Sequence, residues 1–221
     1  MDFEAINVVG NPDGQARLRA HGFDTVPAVA ANGEIVSGGV LEEIARVVGF
    51  HYDPPIILPP VVLMERWYEI LETAARLVRQ IPLDKMDVTS PVDVNRSLFA
   101  LSWHVVTIGR VFLLVYEEVE ARVPRVETVI TGEDLGAYAD ETRELLRTWW
   151  TEIGVYDPLD RVVESYQGIQ SLLEYLERET WHTAQHTRQV TAMLEQMGIT
   201  PDRPLTAEVL EGLPLPERLW D

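Results

Sequence analysis

Three stretches of the chain repeat mostly apolar residues at alternating spacings of four and three. Leu63, Trp67, Ile70, Ala74, Leu77 and Ile81 form the first, and Val94, Leu98, Leu101, Val105, Ile108, Phe112 and Val115 the second. Leu135, Tyr138, Thr142, Leu145 and Trp149 form the third. This spacing draws one seam along a helix, because a turn takes about 3.6 residues. Capping chemistry marks two of the starts. Ser90-Pro91 followed by Asp93, and Thr131 with Asp134, supply an N-cap oxygen and acids where helix N–H groups lack partners. A fourth seam reads Ile169, Leu172, Leu176, Glu179, Thr183, His186, Val190, Met193 and Met197, on a helix expected from near Gly168 to Gly198. Four amphipathic helices of roughly 20 to 30 residues predict a four-helix bundle over residues 61–199.

The first fifty residues follow another pattern. Residues 3–9 predict a strand and residues 13–20 a helix ended by Gly22. Residues 27–31 and 34–37 predict two strands joined by Asn32-Gly33, a pair that tolerates the positive φ of a type I′ hairpin turn. Residues 41–48 predict a helix stopped by Gly49. Pro54, Pro55, Pro59 and Pro60 make residues 51–60 a semi-rigid linker. Residues 200–221 keep Leu205, Val209, Leu210, Leu213, Leu215, Leu219 and Trp220, and are expected to pack on the helical part. The fold class is therefore mainly α, preceded by a small α/β domain at residues 1–50.

Composition narrows the chemistry. Thirty-six acidic against 18 basic residues give a formal charge of −18. Such a chain repels phosphate backbones and anionic membranes, which argues against both as partners. With no cysteine, the chain itself has no disulfide, thiolate zinc site or dithiol redox couple. Any metal must sit on His, Asp or Glu. There is no leader pattern at the start and no uninterrupted apolar run near the ~18 residues a spanning helix needs, so a cytoplasmic location is expected.

The fourth seam holds the candidate site. Its middle positions Glu179, Thr183 and His186 are polar, and each would cost roughly 1–3 kcal/mol if buried without a partner. His182 precedes His186 by one turn on nearly the same face, where both imidazoles can reach one ion. His104, beside the seam of the second helix, is the natural third ligand. Three His ligands leave coordination positions for water or substrate, the arrangement of catalytic sites. Zinc, nickel, copper and iron all suit imidazole, with zinc or nickel foremost. Trp103 and Trp181 are each available to wall a pocket. Glu179 has three readings: it orients a ligand imidazole, acts as a base, or pairs with an arginine.

Two resemblances extend this reading. Gly22-Phe23-Asp24-Thr25-Val26-Pro27-Ala28-Val29, then Asn32-Gly33-Glu34 and Ser37-Gly38-Gly39, resemble the later two-thirds of a glutaredoxin, a thioredoxin-fold protein. The family's first strand and Cys-containing loop are absent, and a native start upstream of Met1 is one explanation. In that family the residues matching Thr25, Val26, Pro27, Gly38 and Gly39 hold the peptide part of glutathione, which implies a thiol site. The stretch 176–189, with His182, His186 and Gln189, together with Ser102-Trp103-His104, resembles the DinB/YfiT-like family over about residues 60–198. That resemblance implies an up-down-down-up bundle, a divalent metal on His104, His182 and His186, frequent homodimers, and transferases or isomerases using low-molecular-weight thiols such as bacillithiol or mycothiol. The expected function is a metal-dependent thiol transferase or hydrolase acting on a small molecule. The alternative is a non-catalytic metal-binding or interaction protein with a redox-inactive docking module.

Overall fold

The computed structural model describes residues 3–8, 10–23, 26–38, 40–53, 56–90, 96–119, 131–166 and 168–220. The described residues are mainly helical, with seven α-helices and two two-stranded sheets. They fall into two compact units, Met1–Ile56 with Glu164–Gln170, and Ile57–Val163 with Ser171–Asp221.

The first unit contains α1 (Pro12–Ala20), β1 (Ala28–Ala31), β2 (Glu34–Ser37) and α2 (Leu41–Val48). β1 and β2 pair antiparallel, with Ala28 opposite Ser37 and Ala31 opposite Glu34. Their turn is Asn32-Gly33, with φ of 53° and 84°, the left-handed pair that a type I′ turn requires. The Asn32 side-chain amide also donates to the Val47 carbonyl at 2.8 Å, so one side chain ties the hairpin to α2. α2 ends at Gly49, as its sequence implied. Residues 3–8 do not form the expected strand. A strand needs a neighbouring ladder, and here the Asn7 and Val8 carbonyls instead accept the side-chain amides of Asn11 (2.8 Å) and Gln15 (3.0 Å).

The second unit is built on α3 (Pro60–Arg79), α4 (Leu98–Tyr116), α5 (Gly132–Trp149) and α6 (Leu172–Gln196), with a short α7 (Ala207–Leu210). α3 and α4 each pack against both α5 and α6. All six seam residues of the first stripe are buried, as are Leu98, Leu101, Val105, Ile108, Phe112 and Val115 of the second. Val94, Pro91 and Asp93 lie outside the described residues. α4 starts later than expected, at a cap formed by Ser97, whose hydroxyl accepts the Ala100 N–H. Thr131 and Asp134 form a reciprocal capping box at the head of α5.

Two seams need correction. On α5 the buried positions are Leu135, Ala139, Thr142, Leu146 and Trp149, not Tyr138 and Leu145. Spacings of 4-3-4-3 and 3-4-3-4 fit a 3.6-residue turn equally well, and the small Ala139 permits the closer approach. Tyr138 sits at the rim, its ring 5.0 Å from Trp103 and 4.1 Å below the Arg110 guanidinium. α6 begins at Leu172, not near Gly168, because Ser171 and Glu174 make a capping box there. Ahead of it β3 (Val162–Ser165) pairs with β4 (Gly168–Ser171), and Ile169 is exposed.

The apolar interior of this unit forms two clusters. One takes Leu63, Trp67, Ile70, Ile108, Phe112, Leu146, Trp149, Leu172 and Leu176; the other takes Ala74, Leu77, Leu98, Leu101, Val105, Leu135, Ala139, Val190 and Met193. On each long helix the two sets occupy opposite ends; buried Thr73, Thr107 and Thr142 lie between them in sequence on α3, α4 and α5, while on α6 buried Glu179 and Thr183 fall within the span of the first set, which runs to Ala184. Val209 and Leu213 of the C-terminal segment bury against the first cluster. By length and mean hydropathy of 1.9, α4 is the one helix among the described residues that meets the criteria for crossing a membrane; just over half of that stretch is buried inside the unit.

Gly132 opens α5 where a β-carbon would collide with the Val78 carbonyl oxygen, a backbone atom that cannot rotate away. Gly132→Ala is therefore expected to lower the unfolding free energy by about 2 kcal/mol. Urea denaturation reads this, and a midpoint equal to or above wild type refutes it.

Candidate metal centre

α4 carries His104 between Leu101 and Val105, and α6 carries His182 and His186 one turn apart. Packing of α4 on α6 gathers the three, with one ring nitrogen from each lying within 4.8 Å of the others. Ring centroids are 5.0 Å apart for His104 and His182, 4.8 Å for His104 and His186, and 4.7 Å for His182 and His186. The Nε2 atoms of His104 and His182 stand 3.2 Å apart. Two nitrogens bound at about 2.0–2.1 Å in tetrahedral or octahedral geometry are separated by about 2.8–3.4 Å, so this spacing suits two ligands of one ion.

The outer ring nitrogens are already engaged. His182 Nδ1 meets the Glu179 carboxylate oxygen Oε2 at 3.2 Å, and His186 Nδ1 meets the Gln189 amide oxygen at 2.6 Å. Both partners offer acceptor oxygens, so Nδ1 of each ring is the donor, and in His182 the opposite nitrogen, Nε2, is the one that faces His104. Ligand histidines in metal sites are commonly held by such outer partners. Glu179 is only 2% exposed, and its second oxygen, Oε1, is buried with no hydrogen-bond partner.

Electrostatics keeps two of the rings neutral. Burial, then His182 and the Arg96 guanidinium, push His104 down to about 3. Burial leads again at His186, with His182, His104 and Arg96 lowering it and Gln189 opposing, to about 3. Arg96 was not among the residues the sequence singled out. Nothing in the local spacing links a residue before the Ser97 cap to imidazoles on two helices.

The remaining expected site residues separate from the cluster. Thr183 donates to the Glu179 carbonyl (2.6 Å) and accepts the Trp67 indole N–H (2.9 Å), so this polar seam position is satisfied within the core and is no ligand. Trp103 lies against Tyr138, and the Trp181 ring is 6.1 Å from His182. Val26, Pro27 and Gly38 belong to the first unit, where the Val26–Pro27 peptide is cis and the Gly38 N–H donates to the Pro27 carbonyl at 2.8 Å. Thr25 and Gly39 lie outside the described residues. Val26 also lines an open cavity of about 640 Å³ with Phe3, Ile6, Leu18, Ala28 and Ile35.

A scan against protein-family models finds no match for this chain, and neither does a search of curated proteins. What the site can do is decided by its own donors. Three imidazoles that bring one ring nitrogen each within 4.8 Å of the others, two of them held from outside through Nδ1, can hold a metal ion.

Two outcomes follow for the protein stripped of metal. Because His104 and His186 have folded-state values near 3 against about 6.5 unfolded, the unfolded chain binds more protons below pH 6.5. Their stabilising effect is complete above pH 6.5 and is lost as pH falls toward 3, at about 1.4 kcal/mol per pH unit for each ring. Between pH 5 and 6.5, before most carboxylates titrate, His104→Gln should reduce the slope of unfolding free energy against pH by one proton's worth. An unchanged slope would show that the ring is not held neutral. Separately, Thr183→Val strands the Trp67 indole N–H and should cost about 1–3 kcal/mol in urea denaturation; no loss would mean that this bond is not stabilising.

Proposed function

We propose that the second unit is a DinB-like four-helix bundle in which His104, His182 and His186 hold one divalent ion, zinc or nickel, and that the protein is a metal-dependent enzyme acting through a small thiol or water. The observation that carries this reading is the pair of Nε2 atoms at 3.2 Å with the opposite nitrogens of His182 and His186 tied to Glu179 and Gln189. The donor set fits: neutral imidazoles suit zinc and nickel, and the ligand-to-ligand spacing matches their bond lengths. The buried, unpaired Oε1 of Glu179 fits as well, because a carboxylate in a dry interior needs positive charge nearby.

When bound, the ion supplies Lewis acidity that brings the pKa of a thiol or water toward neutrality. The chain's own residues do the rest. Glu179 accepts the Nδ1 proton of His182 on the side of the ring away from His104, so its part is to orient a ligand and balance charge rather than to act as a base on substrate. Gln189 orients His186 in the same way, without adding charge. Arg96 adds a positive charge near His104 and His186 that favours an anionic reactant such as a thiolate. With no cysteine in the chain, the thiol comes as a small molecule. The glutaredoxin-like character of the first unit and a homodimeric assembly belong to this same reading.

Elemental analysis of untagged protein after zinc or nickel supplementation should give close to one ion per chain, falling to trace in His104→Ala. Conjugation of glutathione, bacillithiol or mycothiol to an electrophile should then be lost on chelation and restored by metal. Trace metal in the wild type would end the metal reading. Stoichiometric metal without transfer of any of the three thiols would end the thiol-transferase reading and favour a metal-holding protein.

A further inference from the structure

The last residues of the chain return to the middle of α6. Gln185 and Gln189 are both buried there, 5% and 6% exposed, and both side-chain amides donate to one backbone oxygen, that of Leu219, at 2.7 and 2.9 Å. Gln185 also donates to the Arg218 carbonyl at 3.3 Å and accepts from Arg188 at 2.8 Å. Trp220 packs against the apolar cluster that includes Leu98, Leu101, Val190 and Met193, which anchors the segment. Gln189 therefore bridges two groups: its nitrogen meets Leu219, and its oxygen meets His186 Nδ1 at 2.6 Å.

The bridge has a chemical consequence. A primary amide presents a donor at one end and an acceptor at the other, and a half-turn exchanges them. While the Leu219 carbonyl holds the nitrogen, the oxygen must face His186, and the imidazole must carry its proton on Nδ1 and its lone pair on Nε2. If that carbonyl withdraws, the amide can turn its NH₂ toward Nδ1. The ring then protonates on Nε2, the nitrogen that Gln189 does not hold, and that nitrogen loses the lone pair a metal would need.

We propose that Arg218–Leu219–Trp220 is a positioning strap of the metal centre: the Leu219 carbonyl sets the Gln189 amide, which sets the tautomer of His186. Among the described residues no hydrogen bond, ion pair or ring contact joins the strap to the imidazoles, and Gln189 is the link between them. This rests on the metal reading above.

A double-mutant cycle tests it. Trp220→Ala loosens the strap without touching the histidines or their partners. Gln189→Glu replaces the amide by a carboxylate, which accepts from Nδ1 in either orientation and needs no strap. The ¹⁵N shifts of the His186 ring report the tautomer in chelator-treated protein, and competition with a coloured chelator reports zinc affinity. In the Gln189 background Trp220→Ala should shift His186 toward the Nε2–H form and weaken zinc about tenfold, with helical circular dichroism unchanged. In the Gln189→Glu background it should change neither. A Trp220→Ala protein with wild-type ring shifts and affinity overturns the strap, as does an equal loss in both backgrounds. If Trp220→Ala lowers helical content, Gln185→Leu takes its place, because it removes the other amide on Leu219. The ring shifts are read without metal, so they judge the strap even if the wild type takes up no zinc and the metal reading fails.

Discussion

Polar groups in a dry interior must be satisfied from within, and the second unit turns on this constraint. Its apolar core is two clusters rather than one, and a band of polar groups runs through it: threonines where the clusters meet in sequence on α3, α4 and α5, and Glu179, Thr183 and the three histidines among the apolar residues of α4 and α6. Each group in that band either finds a partner or costs about 1–3 kcal/mol. The threonines solve the problem locally: Thr107 donates to the Trp103 and His104 carbonyls, Thr142 to those of Val106 and Tyr138, and Thr183 serves Trp67. The imidazoles cannot, because each has two nitrogens and only one outer partner is supplied to His182 and to His186. One nitrogen of each of the three rings lies within 4.8 Å of the others, and the Nε2 atoms of His104 and His182 stand 3.2 Å apart.

Helix placement follows from that requirement. Glu179 and His182 meet because they stand three residues apart on α6, the helix that the Ser171–Glu174 capping box starts. α4 must present His104 to the same level, which Leu101 and Val105 enforce by burying on either side of it. Farther out, Gln185 and Gln189 carry the polar band to the surface and end it on the C-terminal backbone. The tail completes the satisfaction of buried donors on α6, which explains why a proline-rich terminus packs instead of fraying.

For the proposed chemistry, the same low dielectric that penalises unpaired groups also keeps His104 and His186 unprotonated near neutrality. Two of the three proposed ligands are thus kept neutral by burial. The acidic surface, net −18 for the whole chain, plays no evident part in the site. The Glu179 carboxylate lies on His182, and the Arg96 guanidinium, opposite in sign to the molecule's net charge, acts on His104 and His186.

Much of this was legible from residue order, since it depends on contacts within a turn or two. The four helical stripes, the Asn32-Gly33 hairpin, the caps at Thr131 and Gly49, and the pairing of His182 with His186 are all short-range, and His104 followed from being the one histidine beside another apolar seam. Where two registers were equally periodic, as on α5, or where a strand at residues 3–8 needed a partner elsewhere, local pattern could not decide, because burial is settled by the neighbouring element. The bond of Thr183 to Trp67, the influence of Arg96 and the tie of Gln189 to Leu219 were invisible for the same reason. The sequence alone determined which residues could carry the chemistry and which helices would hold them. Only the tertiary structure decided which of those groups spend their hydrogen bonds on each other and which are left facing a common point, since that depends on how α4, α6 and the C-terminal segment pack together.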